Sequence, residues 1–220
     1  MKLTQLPFGS LLAYCPKDNS EKGNQAKKWM AAVKNDYFVT EIERQKTILT
    51  SDFIAAQIKQ NLDQLAFKHF FGQNVALVPI PRSSLITNDT LWVPDRLAQA
   101  LQKRGLGTRQ CLLTRVRTVN RSSKSAPKDR PSPNEHYNSL YAKKALEIPE
   151  QIVLVDDVIT KGHTMMGAAW RIQDIYPNTP IFGFAAMRAI HIIVLFKSWY
   201  HPVVGTVSYR PQEGDCIRSP

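Results

Sequence analysis

With 220 residues, 43% of them hydrophobic, the chain has the size of one α/β domain with embellishments and is too apolar to stay disordered. No apolar run approaches the roughly 18–20 residues that a membrane span needs. Residues 1–12 carry a single lysine and are broken by Pro7 and Gly9, so no signal peptide is expected, and a cytoplasmic protein with no membrane partner follows. Cys15, Cys111 and Cys216 lie far apart and none belongs to a C-x-x-C pair, which argues against a disulfide framework and a zinc ribbon. The formal net charge of +11 is uneven: Arg115, Arg117, Arg121, Lys124, Lys128 and Arg130 crowd one segment against a single acid, Asp129. Such a run is either a solvated loop or a surface that meets phosphate.

In chain order, the first fifty residues give weak signals: a short helix over 27–33 and a strand over 37–40. A helix is expected from Thr50 to about His69, with Ile54, Ile58, Leu62 and Leu65 on its apolar side. Residues 75–80 read as a buried strand, and Pro94 opens a helix that Gly105 and Gly107 end. Residues 111–113 suggest a second strand, followed by a long polar stretch over 117–135 of the kind that is functional or disordered. Residues 152–155 are a third strand, 164–176 a helix stopped by Pro177, 181–187 a fourth strand and 190–196 a fifth, buried one. Residues 203–209 form an extra strand, and 213–220 have no evident role. The four tryptophans read as core or interface. The rhythm is that of a mostly parallel central sheet with helices on both faces.

The segment Ile152-Val-Leu-Val-Asp-Asp-Val-Ile-Thr-Lys-Gly-His-Thr164 carries the chemistry. A buried strand ends in two carboxylates, where open α/β sheets bind their ligands. Adjacent acids repel unless a cation or a hydroxyl-rich ligand stands nearby, and such a pair can grip vicinal ribose hydroxyls or approach a metal-bound sugar. Gly162 allows a close backbone approach, Thr160 and Thr164 supply hydroxyls, and the following helix offers unpaired N–H groups to an anion.

These residues closely resemble the phosphoribosyl-pyrophosphate signature of the type I phosphoribosyltransferases. The resemblance implies that Asp156 and Asp157 meet the ribose hydroxyls and approach magnesium through the bound ligand. It implies equally that Val158, Ile159, Thr160, Lys161, Gly162, His163 and Thr164 form the 5′-phosphate loop. Val78-Pro-Ile-Pro-Arg-Ser83 is similar to the first strand and pyrophosphate loop of the ComF-like branch, which assigns pyrophosphate binding to Pro81, Arg82 and Ser83. The basic stretch falls where the family carries a mobile loop, here 115–135, making Lys124, Lys128 and Arg130 candidates for stabilising the leaving pyrophosphate. Together these similarities span about residues 77–188. The implied arrangement is a single domain: an N-terminal hood or flanking region over 1–73, a core over 74–190 and a C-terminal extension over 191–220.

The chain departs from the pattern at Lys161 and His163, where small residues are usual. Both point away if the loop binds through its backbone; a phosphate contact for Lys161 and proton transfer for His163 are the other readings. The N-terminal zinc ribbon of many ComF-like proteins is missing, so functions that depend on it do not carry over. Two functions follow from the resemblance. The first is a magnesium-dependent transferase of the glycosyltransferase class, moving a 5-phosphoribosyl group to a nitrogenous, nucleobase-like acceptor with Asp156, Asp157, Arg82 and Lys124 as the catalytic set. The second is a non-catalytic protein of nucleotide sensing, DNA uptake or nucleic-acid handling. Phosphoribosyl pyrophosphate or a nucleotide is the expected ligand, the basic charge suits nucleic acid, and a homodimer is compatible with the sequence.

Overall fold

The computed structural model describes residues 2–41, 46–85, 90–120 and 130–220. Its elements in chain order are β1 (Gln5–Tyr14), α1 (Glu21–Asn35), β2 (Phe38–Glu41), β3 (Lys46–Leu49), α2 (Thr50–Asn61), β4 (Val75–Pro79), α3 (Val93–Lys103), β5 (Thr108–Arg109) and β6 (Leu113–Arg115). Then follow α4 (Pro133–Asn138), β7 (Leu140–Ala142), β8 (Gln151–Ile159), α5 (His163–Gln173), β9 (Ile181–Ala189), β10 (Tyr200–Arg210) and β11 (Asp215–Ser219).

Seven strands form the central sheet in the order β11-β10-β1-β9-β8-β4-β5. The five from β1 to β5 run parallel, and β10 and β11 add an antiparallel hairpin beyond β1. Strand β8 explains why the sheet is interior. Val153 and Val155 point to one apolar layer with α1, α2 and α3, while Ile152 and Leu154 point to the opposite layer with α5. A strand with no solvent-facing side must be apolar at every position, and a helix layer must cover each face. The expected α/β architecture with helices on both sides is therefore present.

Several elements differ from the sequence reading. The weakly read N-terminus contains β1, whose residues pair with both β9 and β10, so the 1–73 segment supplies the sheet itself. Phe8, Leu11 and Leu12 are fully buried there. The neighbour of β4 is the two-residue β5, whereas β6, close to the expected strand at 111–113, pairs with β7 in a separate hairpin. Helix α2 stops at Asn61, and single turns of tighter helix replace its expected last stretch. The run over 190–196 is an exposed turn, not a buried strand. The tail without an evident role forms β11, the outer strand of the sheet.

Trp170 on α5 ties the second layer to the N-terminus. It is fully buried, stands edge-on to Tyr209 at 4.7 Å, and its indole N–H donates to the Leu3 carbonyl at 2.7 Å. Trp170→Ala is expected to lower unfolding stability by about 3–5 kcal/mol, measured by urea denaturation.

Candidate functional site

The winding of the sheet creates an opening. From β4 the chain crosses through α3 to β5 at one edge; from β8 it crosses through α5 to β9 in the other direction. The crevice between β4 and β8 is thus a point where the strand order reverses, and ligands of open α/β sheets bind there, beyond the carboxyl ends of the strands. Strand β8 also outruns β4. Their last pairing joins Pro79 to Val155, after which β8 continues against β9 alone as far as Ile159. The overhang carries Asp156 and Asp157 into a cavity of about 760 Å³. Pro81, Arg82 and Ser83 line its β4 side, and Val158 to Thr164, Arg130 and His136 line it as well.

The acid pair is electrostatically strained. Burial, and then the charge of Asp157, hold the Asp156 carboxyl well above the usual carboxylate range. Arg115 opposes this through its own charge. That guanidinium is buried, which pulls it down to about 10, still protonated near neutrality. Its Nε and Nη2 donate to the carbonyls of Arg82 at 2.8 Å and Pro81 at 3.1 Å, and its Nη1 donates to Ser139 Oγ. One buried cation therefore holds the 81–83 loop and faces the acids. Tyr14, at the end of β1, also lines the cavity; burial raises its hydroxyl, and the charges of Arg130 and Asp157 both act on it.

The turn after β8 is shaped by the C-terminal hairpin. Gly162 caps α5 in the left-handed region at φ 91°, with no side-chain cap. A β-carbon there would stand 2.6 Å from Val207 Cγ2 on β10. The room that this glycine frees on its Cβ side is filled by β10. Lys161 and His163 turn the same way: Lys161 Nζ donates to Asp215 of β11 at 2.9 Å, His163 Nε2 lies 2.6 Å from the same carboxylate, and Arg210 donates to it at 3.1 Å. His163 also meets the Pro131 carbonyl through Nδ1 at 2.9 Å. Arg218 donates from Nε to the Thr160 carbonyl at 2.6 Å. These two side chains thus serve a clasp between turn and tail. What remains open to the cavity is backbone: the first N–H groups of α5 have no partners within the helix, and its dipole favours an anion.

Thr164 adds an oriented hydroxyl. Its Oγ1 lies 3.2 Å from His136 Nε2, and the buried Nδ1 of that ring has no partner among the described residues. Burial, with the charge of Arg115, pulls His136 down to about 3, so the ring is neutral. Placing its one proton on Nε2 leaves only a lone pair buried at Nδ1, a smaller cost than a buried unpaired N–H. His136 then donates to Thr164, whose own hydroxyl proton is free to point at a ligand oxygen. Gly167 allows this pairing, since a β-carbon would stand 2.7 Å from His136 Cβ.

Of the residues singled out in the sequence, the structure gathers Asp156, Asp157, Pro81, Arg82, Ser83, Arg130 and the whole 158–164 turn around one cavity. Arg82 is engaged there, its Nη1 donating to the Leu91 carbonyl at 2.6 Å. Lys124 and Lys128 lie outside the described residues. Sequence reading placed Arg115 in a mobile lid, whereas it is a buried strand residue. It missed Tyr14, His136, Asp215 and Arg218, none of which stands in a recognisable motif. The chain matches no known family model and no curated protein.

Burial raises the Asp215 carboxyl, but the contacts of Lys161 and then His163 outweigh it and pull the group down to about 2. A lowered folded value means stability present above the ordinary carboxylate range and lost as pH falls through about 2. Asp215→Asn is expected to be less stable than the unsubstituted protein above about pH 4, with the difference vanishing towards pH 2 in thermal unfolding followed by circular dichroism.

Proposed function

We propose that the protein is a phosphoribosyltransferase-fold protein of the ComF-like kind that binds phosphoribosyl pyrophosphate and transfers its 5-phosphoribosyl group to a nitrogenous, nucleobase-like acceptor. One observation carries this reading: the paired acids and the helix-capping turn open on the same cavity as the 81–83 loop. A phosphorylated pentose has the matching layout, with two hydroxyls on one side and a phosphate on the other.

In this reading Asp156 and Asp157 accept hydrogen bonds from the ribose hydroxyls. The first-turn N–H groups of α5 and the hydroxyls of Thr160 and Thr164 hold the 5′-phosphate. The 81–83 backbone, steadied by Arg115, faces the pyrophosphate, and Arg130 stands at the cavity wall where charge develops on the leaving group. Opposite charges at 4 Å gain about 1 kcal/mol in water and about 4 kcal/mol at an effective dielectric of 20, so these cations act mainly when solvent is excluded. The acid pair also fits magnesium, which commonly joins one or two carboxylates to substrate phosphates. The raised proton affinity of Asp156 marks a place short of positive charge. When bound, magnesium neutralises oxygens of pyrophosphate and ribose.

A second, non-catalytic reading, nucleotide sensing or nucleic-acid handling, draws on the engagement of Arg82, Lys161 and His163 with protein oxygens. In that case the cavity holds a phosphorylated sugar without driving pyrophosphate out, and the +11 charge serves phosphate backbones.

Calorimetry with phosphoribosyl pyrophosphate and magnesium is expected to show binding that Asp156→Asn with Asp157→Asn weakens by about 100-fold or more, the loss of two charge-assisted contacts. Unchanged affinity in that variant places the ligand elsewhere. Binding without pyrophosphate release against any nucleobase, together with single-stranded DNA binding that falls steeply with salt, selects the second reading.

A further inference from the structure

The strongest apolar run of the sequence, Ile190-His-Ile-Ile-Val-Leu-Phe196, lies on the surface. Ile192 is 56% exposed, Ile193 47%, Val194 87% and Leu195 58%. Four consecutive aliphatic side chains facing water mark a place where the molecule meets something else.

The tip is firmly built. The N–H groups of Leu195 and Phe196 donate to the carbonyls of Ile192 at 3.1 Å and Ile193 at 3.0 Å, closing a tight helical turn. At one end Ile190 N–H bonds the Tyr14 carbonyl at 2.8 Å; at the other the Phe196 ring is buried and its carbonyl accepts from Lys22 Nζ at 3.1 Å. A tip pinned at both ends holds its apolar side chains outward, the posture that entry into the headgroup and acyl boundary requires.

We propose that residues 192–195 are a peripheral membrane anchor that seats the protein on an anionic lipid surface. Two observations choose this occupant over a second copy of the chain. First, the tip projects, as the exposure of Val194 requires, and presents a few hundred Å² at most, well under the about 800 Å² per partner of a stable protein interface. Second, lysines stand around it: Lys22 on the Phe196 carbonyl, Lys197 next in the chain, and Lys17, whose charge acts on His191. Of the acids near Lys17 and Lys22, Asp18 is buried and bonded to Ser20 N–H, which leaves Glu21 as the exposed one. Apolar side chains dip into the acyl boundary while lysines stay with the headgroups, each lysine adding about fivefold in affinity for an anionic surface. The absence of a spanning segment is no obstacle, because such an anchor lies on the bilayer. His191 lines the cavity, so docking holds the cavity mouth beside the membrane. This inference stands apart from the reading of the cavity's ligand.

The test is co-sedimentation of the full chain with vesicles of phosphatidylcholine alone or mixed with phosphatidylglycerol, at low and high salt. Binding to the mixed vesicles, weakened by salt and reduced about tenfold or more in Val194→Asp with Leu195→Asp, is expected. Lys17→Glu with Lys197→Glu is expected to abolish the preference for anionic lipid. Unfolding midpoints confirm that the variants fold. No binding to either vesicle, or binding that the aspartates leave unchanged, overturns the proposal. A dimer in light scattering that the aspartates split overturns it as well, since a second copy would then cover the tip.

Discussion

Two adjacent carboxylates stand where β8 outruns β4, partly sheltered from water, and the surrounding structure is arranged about their repulsion. Arg115 is the buried cation whose charge reaches Asp156, and it is also the tether of the 81–83 loop and of Ser139 after α4. The wall opposite the acids, the acids themselves and the helix behind them are therefore coupled through one guanidinium. Among the described residues Arg115 bonds two carbonyls and a hydroxyl and no carboxylate, so its charge remains available to the cavity. The arrangement leaves the acid pair under-compensated, and a ligand bringing cations or hydroxyls relieves that.

The other half of the cavity is supported from the far end of the chain. The 160–164 turn presents backbone to the cavity because its long side chains are occupied behind it by Asp215, while Arg218 and Val207 fix its carbonyl and its glycine. A helix terminus contributes about 0.3–1 kcal/mol to anion binding by its dipole, so the geometry of the turn decides how many direct hydrogen bonds an anion receives. The β10–β11 hairpin acts as a template for that geometry. His136 does the same for one hydroxyl, acting through the orientation of a single proton.

How much was legible depended on the range of the physics. The segment from Ile152 to Thr164 could be read because strand, acids, turn and helix follow one another without interruption. Helix α3 could be read from Pro94 and its apolar spacing, both local signals. Strand β1 could not: Gln5 to Tyr14 mixes proline, glycine and serine with its apolar residues, and only partners far along the chain make it a strand. Asp215 and Arg218 look like any charged tail until β11 pairs with β10. The 190–196 run misled because apolarity alone does not distinguish a core strand from a surface that meets another phase.

The position of β1 has a kinetic side. It lies between β9 and β10, joined in register to Gly183 and Gly205 through Phe8. During synthesis β1 must wait for β9 and β10, made far later in the chain, before it can dock. Until then Phe8, Leu11 and Leu12 have no neighbours in the sheet, and α1 has no floor on which to rest. Closing so long a loop slows folding and prolongs exposure of an unpaired edge, the circumstance in which nascent chains aggregate or engage chaperones.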